Sequence, residues 1–221
     1  MAVHKLPKLR TRVRFPYPAQ KKVINEMAGK NTNIKAIVFD FIGVLLFKKE
    51  GYISKPLVDE VDDMISGVTD DYLFKEEVYK KFNLSDVKFN GILDKIADKY
   101  KPYKPLWDLL PKFKKVYKLA IINNGTGLTI SRFKEKFDID SKFDVFISSA
   151  LEGVKKPDKK IYLLASEKLG VEPDKCLFMD DSLINIKGAE KAGMQTLWWS
   201  KEERKENILE KFVALVDRHC L

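Results

Sequence analysis

Five short apolar runs recur along the chain and predict the strands of one sheet. They are dense in Val, Ile, Leu, Phe or Trp and span Ile34–Asp40, Leu119–Asn123, Asp144–Ser148, Cys176–Asp180 and Gln195–Trp199. Runs this continuous are typical of strands that are covered on both faces, as in parallel sheets. Stretches with helical spacing separate most of them. The alternation therefore predicts an α/β fold with a Rossmann-like, doubly wound parallel sheet.

Residues 48–103 interrupt this alternation. Their apolar side chains recur at helical spacing only, for example at Phe89, Ile92 and Ile96. This is more helix than one crossover between neighbouring strands needs. We therefore predict a small α-helical cap that is inserted after the first strand. The predicted parts are a basic N-terminal arm (1–33), a Rossmann-like core (34–47 and 104–221) and the cap (48–103).

The net charge of +9 is concentrated at the start of the sequence. Residues 1–35 hold nine of the 41 Lys and Arg residues and a single acid, Glu26, so the rest of the chain is nearly neutral. Within the arm, Arg10, Arg12 and Arg14 alternate with other residues and would share one face of an extended segment. The charge therefore bears on the arm and not on the core.

Two interpretations of the arm stay open. Aromatic residues follow the arginines, and a basic face with nearby aromatics is typical of segments that track RNA or single-stranded DNA. Residues 5–22 are therefore the candidate nucleic-acid contact. Short basic termini more often form solvated tails, or pack on their own domain or on a dimer partner. We favour this second interpretation, and the oligomeric state stays open.

Cysteine content and hydropathy limit the cellular compartments in which we expect the protein. Cys176 and Cys220 are too few for a disulfide framework and lack metal-site spacing. No run of about 18 apolar residues exists, so we expect no membrane span. The first 30 residues lack the apolar stretch of a secretory signal, and Pro7, Pro16 and Pro18 argue against the helix of a transit peptide. We expect a cytoplasmic protein.

Polar residues follow four of the predicted strands. In chain order they are Asp40; Asn123, Asn124 and Gly125; Lys156; and the pair Asp180 and Asp181, with Asn185 one helical turn later. Ligands of such sheets bind at the carboxyl ends of the strands, so these residues form the candidate site. Each also has a plainer interpretation, as a strand-ending turn, a glycine-rich turn, a solvated lysine or a helix cap.

The acid pair indicates a metal site. Adjacent carboxylates at a strand end repel each other unless a cation lies nearby. A hard divalent cation with oxygen ligands meets this need, so we expect Mg²⁺. Lys156 precedes a predicted helix start, where it could reach an anion held at the helix N-terminus.

The order of these residues, together with the helical insert, resembles the haloacid dehalogenase-like (HAD) hydrolase superfamily. The resemblance covers about Ile34 to Trp199 and is most specific over Glu152 to Gly193, which contains Lys-Pro-Asp and Phe-Met-Asp-Asp-Ser-x-x-x-Asn. Within the family the chain is most similar to the sugar-phosphate phosphatase and haloacid dehalogenase-like branch. This implies a hydrolase with a small phosphorylated substrate that the cap selects.

The resemblance also implies roles for single residues. Asp40 matches the nucleophile, which forms an aspartyl-phosphate. Lys156 matches the lysine that orients the nucleophile and offsets phosphate charge, and Asn185 would orient the acid pair. The implied Mg²⁺ ligands are Asp40, the backbone carbonyl of Ile42, Asp180 and Asp181. The implied substrate-binding residues are Asn123, Asn124 and Gly125.

Two positions depart from the family pattern. Family phosphatases usually carry a second Asp two residues after the nucleophile, which protonates the leaving group and activates water; here it is Ile42. Asn123 replaces the usual Ser or Thr, although its amide can also donate a hydrogen bond. We favour a slow or specialised Mg²⁺-dependent phosphatase. The alternatives are a binding or regulatory protein that has lost turnover, and a 2-haloacid dehalogenase, for which a metal would be unnecessary.

Overall fold

A computed structural model gives the fold and describes residues 33–216. The predicted basic arm, apart from Asn33, and the nucleic-acid hypothesis for residues 5–22 lie outside the described residues. Within the described range, no helix has both the length and the apolar character needed to cross a membrane.

The described residues form seven strands in two sheets. The strands are Ala36–Asp40 (β1), Leu46–Lys48 (β2), Tyr100–Pro102 (β3), Lys118–Asn123 (β4), Val145–Ser148 (β5), Cys176–Asp180 (β6) and Gln195–Trp198 (β7). Five of them make a parallel sheet in the order β5-β4-β1-β6-β7. Each of these five coincides with a predicted apolar run to within two residues at either end, and the predicted fold class is confirmed.

Helices cover both faces of the parallel sheet. The α-helices of the described chain are Pro56–Ile65 (α1), Asp71–Phe82 (α2), Asp86–Lys99 (α3), Lys104–Trp107 (α4), Leu110–Phe113 (α5), Ile130–Phe137 (α6), Ile139–Lys142 (α7), Ser149–Glu152 (α8), Lys159–Leu169 (α9), Leu183–Lys191 (α10) and Lys205–Val216 (α11). Neighbours on a strand point to opposite faces. Accordingly, Val38 packs with Ile161 and Ile186 of α9 and α10, whereas Phe39 packs with Phe212 of α11.

The segment between β2 and β3 has a core of its own. Helices α1, α2 and α3 bury a separate apolar cluster that includes Val61, Val78 and Leu93. At its base, β2 and β3 pair as a two-stranded antiparallel ribbon. The expectation that residues 48–103 form helices only is therefore wrong at both ends. Strands of three residues are too short to show an alternating pattern in the sequence.

Candidate active site

Polar side chains at the ends of three adjacent strands meet at one edge of the sheet. Asp40, Asn123 and Asp180 are the last residues of β1, β4 and β6, and β1 lies between the other two. The loop after α8 carries Lys156 to the same edge, where its ammonium contacts Asp40 and Asp180. The structure thus brings together four residues that are far apart in the sequence.

The Lys156 side chain lies at the centre of this edge, with 1% of it exposed. Its ammonium donates to Asp40 Oδ1 at 2.6 Å, to Asp180 Oδ2 at 2.8 Å and to the carbonyl oxygen of Ile122 at 2.9 Å. An ammonium group has three N–H donors, so all of them are in use. Lys156 is therefore fixed between the two carboxylates and offsets their charge.

Burial sets the protonation of this cluster. It raises the pKa of Asp40 from its ordinary value of 3.8 to about 7; the Lys156 ammonium opposes the rise, and repulsion from Asp180 and Asp181 adds to it. Burial disfavours the charged form of Lys156 as well, but the carboxylates of Asp40 and Asp180 outweigh this and raise the lysine pKa. The lysine is therefore charged at neutral pH, whereas burial disfavours the charged form of Asp40.

Asn124 holds the backbone of Lys156 from both sides. Its Oδ1 accepts from the Lys156 amide at 2.8 Å, and its Nδ2 donates to the Lys156 carbonyl oxygen at 2.9 Å. The side chain thereby positions the lysine. The family resemblance implies substrate binding for this residue, and the sequence contains no signal for the paired contact. Asn123, next to it, lines the cleft described below.

Asp180 is oriented by the start of α10. Its Oδ1 accepts from the Ser182 amide at 2.8 Å, and Asn185 Nδ2 lies 3.1 Å from each carboxylate oxygen. Tyr162 donates its hydroxyl to the Asn185 carbonyl oxygen at 2.8 Å. Asn185 thus contacts Asp180 of the acid pair, and its orienting role stays a prediction. Ser182 contributes its backbone amide here and makes no side-chain cap.

Three carboxylates could hold a divalent cation. One oxygen from each of Asp40, Asp180 and Asp181 lies within 4.8 Å of the others. Carboxylate oxygens are the ligands that Mg²⁺ and Ca²⁺ take in proteins. Lys201 Nζ lies 2.9 Å from Asp181 Oδ2, a contact for which the sequence has no signal because Lys201 is one of many exposed lysines.

The turn after β1 packs tightly against the acid cluster. Gly43 has φ +106°, and a Cβ at this position would lie 2.6 Å from Asp181 Oδ2. Both the backbone angle and the close approach therefore require glycine. Ile42, in the same turn, lines the cleft with an apolar side chain. The position that often carries an acid in family phosphatases has no ionisable group here.

A cleft of about 630 Å³ separates these strand ends from the inserted helices. The core side includes Asp40, Ile42, Asn123 and Lys156, and the insert side includes Asp62, Asp63, Ser66 and Tyr100. Contacts between the two sides hold the cleft in shape. Gly67 N donates to Asn124 O at 3.2 Å, and the Asp71 carboxylate accepts from Gly127 N at 2.9 Å and from the Thr126 hydroxyl.

A buried ion-pair cluster stabilises the insert side. Lys99 Nζ lies 2.8 Å from Asp59 Oδ1 and 2.7 Å from Asp62 Oδ2, and Tyr100 donates its hydroxyl to Asp62 Oδ2 at 2.6 Å. Burial opposes the charge on Lys99, but the two aspartates outweigh it and raise the lysine pKa. Burial, with the nearby aspartates, raises the pKa of Tyr100 well above its ordinary range. Nothing in the pattern of the sequence indicates this cluster.

The chain is similar in sequence to proteins of one known family. A sequence profile described as haloacid dehalogenase-like hydrolase matches residues 34–193. The chain is 29% identical over 122 residues to (S)-2-haloacid dehalogenase 4A of Burkholderia cepacia, which covers 53% of this chain and 52% of the dehalogenase. It is 37% identical over 84 residues to glyceraldehyde 3-phosphate phosphatase of Pyrococcus abyssi, which covers 38% of this chain and 35% of the phosphatase.

A solved structure shares the fold. It is a HAD-family enzyme from Bacteroides thetaiotaomicron in complex with magnesium and inorganic phosphate; the TM-score is 0.61 at 18% identity, over 79% of this chain and 98% of that one. The chain spans about half or less of the length of the two curated relatives. The profile match, in contrast, covers well over half of this chain. The chain belongs to the haloacid dehalogenase-like hydrolase family.

Proposed function

We propose that the chain is a Mg²⁺-dependent phosphatase that hydrolyses a small phosphorylated metabolite through an aspartyl-phosphate on Asp40. The observation that carries this proposal is the Lys156 ammonium, held at 2.6 Å from Asp40 and 2.8 Å from Asp180 at the floor of an open cleft. Carboxylates can act as nucleophiles that divide a difficult displacement into two easier steps. The phosphatase relative, and the magnesium and phosphate in the Bacteroides neighbour, support the choice of chemistry.

The carboxylate cluster fits a divalent cation. Asp40, Asp180 and Asp181 each offer a hard oxygen donor within one small volume, and the carbonyl of Ile42 is the further ligand that we expect. When bound, Mg²⁺ would neutralise charge on the carboxylates and on the phosphoryl group. When ionised, the three carboxylates carry more charge than the two ammonium groups that contact them, Lys156 and Lys201, which favours a cation here.

Three residues of the chain have separate roles in the proposed reaction. An Asp40 oxygen attacks phosphorus, and the bond from phosphorus to the leaving-group oxygen breaks. Lys156 orients that carboxylate through its hydrogen bond and stabilises the ionised form against the cost of burial. Asn123, on the cleft wall, can donate an amide N–H to a phosphoryl oxygen.

The inserted helices act as a cap that selects the metabolite. They bury an apolar cluster that is largely their own, and Ala97 of α3 also packs in the cluster beside the sheet. Together with β3 they also supply the wall of the cleft that faces the catalytic residues, including Asp62, Ser66 and Tyr100. A substrate whose phosphoryl group lies at Asp40 would place its leaving group against this wall.

Phosphate release from an aryl phosphate and from sugar phosphates, nucleotides and phosphorylated acids tests the proposal. We expect release with Mg²⁺, and its loss in EDTA and in Asp40→Asn. Asp108→Asn is the matched control, because this exposed aspartate pairs only with the nearby Lys104 among the described residues and lies outside the cleft. Equal release from wild type and Asp40→Asn would refute the mechanism.

A dehalogenase is the second candidate, and the Burkholderia relative together with the apolar Ile42 favours it. The same assay separates the candidates. Metal-independent halide release from a 2-haloacid would establish dehalogenation. Binding of Mg²⁺ and a phosphate mimic with no turnover of any substrate would indicate a binding or regulatory protein.

A further inference from the structure

This inference rests on the proposed reaction, which includes two proton transfers. The side chain of Ile42 is not ionisable and can take part in neither of them. The leaving-group oxygen needs a proton when its bond to phosphorus breaks. Water must then lose a proton when it attacks the aspartyl-phosphate. A positioned acid–base group contributes about 10²–10⁴-fold to such steps. Efficient turnover therefore requires an ionisable side chain elsewhere in the cleft.

Most ionisable groups of the cleft are already engaged. Asp40 and Lys156 contact each other, Asp181 pairs with Lys201 at 2.9 Å, and Asp62 accepts from both Lys99 and Tyr100. The lysine at the rim, Lys155, donates to the carbonyl oxygen of Gly67 at 3.2 Å. The histidines of the chain, His4 and His219, lie outside the described residues.

Asp63 remains. It lines the cleft from the insert side, and among the described residues no hydrogen bond or ion pair engages its carboxyl group. Asp63 is exposed rather than covered by protein. Of the carboxyl groups that the structure places around this cleft, Asp63 is the one that is free to exchange a proton with a ligand.

The end of α1 brings Asp63 toward the catalytic residues. Two residues on, Ile65 Cγ2 lies 3.1 Å from where a Cβ on Gly125 would be, and Gly67 N donates to Asn124 O at 3.2 Å. Asn124 in turn holds the backbone of Lys156 through two hydrogen bonds. The helix end that carries Asp63 therefore rests on the loop that positions the lysine, and Asp63 and Asp40 line the same cleft.

We propose that Asp63 is the general acid and base that Ile42 cannot be. In the first half-reaction an Asp40 oxygen bonds to phosphorus, the bond from phosphorus to the leaving group breaks, and the Asp63 carboxyl gives its proton to the leaving-group oxygen. In the second, a water oxygen bonds to phosphorus, the bond from phosphorus to Asp40 breaks, and the Asp63 carboxylate takes the proton of the water. The products are an alcohol and inorganic phosphate, and both aspartates return to their starting forms.

Transient kinetics of Asp63→Asn with two classes of leaving group tests the proposal. Nitrophenol leaves without protonation, so p-nitrophenyl phosphate should give a burst of about one nitrophenol per active site, followed by a steady rate that is about 10²–10⁴-fold below wild type. An alkyl phosphate should show the loss already in kcat/KM and without a burst. Glu60→Gln is the matched control, because Glu60 lies on the same helix but does not line the cleft. It should behave as wild type.

Two results would overturn the inference, and they are distinguishable. If wild type hydrolyses both substrates and Asp63→Asn matches it without a burst, Asp63 is not the acid–base group although the proposed function stands. If wild type neither releases phosphate nor incorporates it on Asp40, the proposed function itself fails. Asp63→Glu, which keeps a carboxyl group, should recover part of the alkyl phosphate activity, whereas a purely structural role would not distinguish Glu from Asn in this way.

Discussion

Replacing Asp40 with Asn should make the metal-free protein more stable while abolishing its activity. Asp40 is buried beside Asp180 and Asp181, and Lys156 is the one cation that contacts it within the described residues. A charged group in such surroundings destabilises the folded state. Asn has nearly the same shape, carries no charge and keeps an oxygen that can accept from the Lys156 ammonium.

The magnitude follows from the pKa of Asp40. Burial raises this pKa from 3.8 to about 7. Between these values the folded protein binds more protons than the unfolded chain, so its free energy of unfolding falls as pH rises through this window. At about 1.4 kcal/mol for each pH unit, the loss reaches about 4 kcal/mol above pH 7. Asn removes the titration, so the variant does not share this loss.

Urea unfolding in EDTA measures this difference. The gap between Asp40→Asn and wild type should be near zero at pH 4 and grow to about 2–4 kcal/mol at pH 8. Saturating Mg²⁺ should narrow the gap, because a cation that binds the folded protein stabilises wild type more than the variant. A variant that is no more stable than wild type at pH 8, or a gap that does not change with pH, would refute the reasoning.

Three further substitutions test separate parts of the site. Gly43→Ala should weaken Mg²⁺ affinity in calorimetry, because its Cβ would lie 2.6 Å from Asp181 Oδ2; unchanged affinity would contradict the close approach. Asn124→Ala should cost about 1–3 kcal/mol in urea unfolding and lower kcat more than it raises KM, because the Lys156 backbone loses two partners; an unchanged kcat would contradict the positioning role. Lys99→Met should lower the urea midpoint, because two aspartates lose their cation; an unchanged midpoint would exclude a stabilising ion-pair cluster.

The sheet could be predicted from the sequence because its strands are buried on both faces. All five residues of β1 and of β6 are buried, so the chain shows unbroken apolar runs there. The short ribbon of β2 and β3 shows no such apolar run, since Leu46 is buried, Lys48 is exposed and the other four residues are partly covered. Continuous burial is visible in a sequence, whereas a brief pairing of three residues is not.

Some residues of the candidate site could also be predicted from the sequence, and others could not. Asp40, Asn123 and Asp180 could be predicted to meet because parallel strands end at one edge, and this follows from topology alone. Two features could not be predicted: the two hydrogen bonds of Asn124 to the Lys156 backbone and the free carboxyl group of Asp63. Each depends on how a loop or a helix end lies in space. From sequence alone, an Asn after a strand predicts a turn, and an Asp on an amphipathic helix predicts a solvent-exposed position. The cleft residues at the strand ends can thus be predicted from the sequence. Those on the insert side can be identified only from the structure, because they depend on how the insert lies over the sheet.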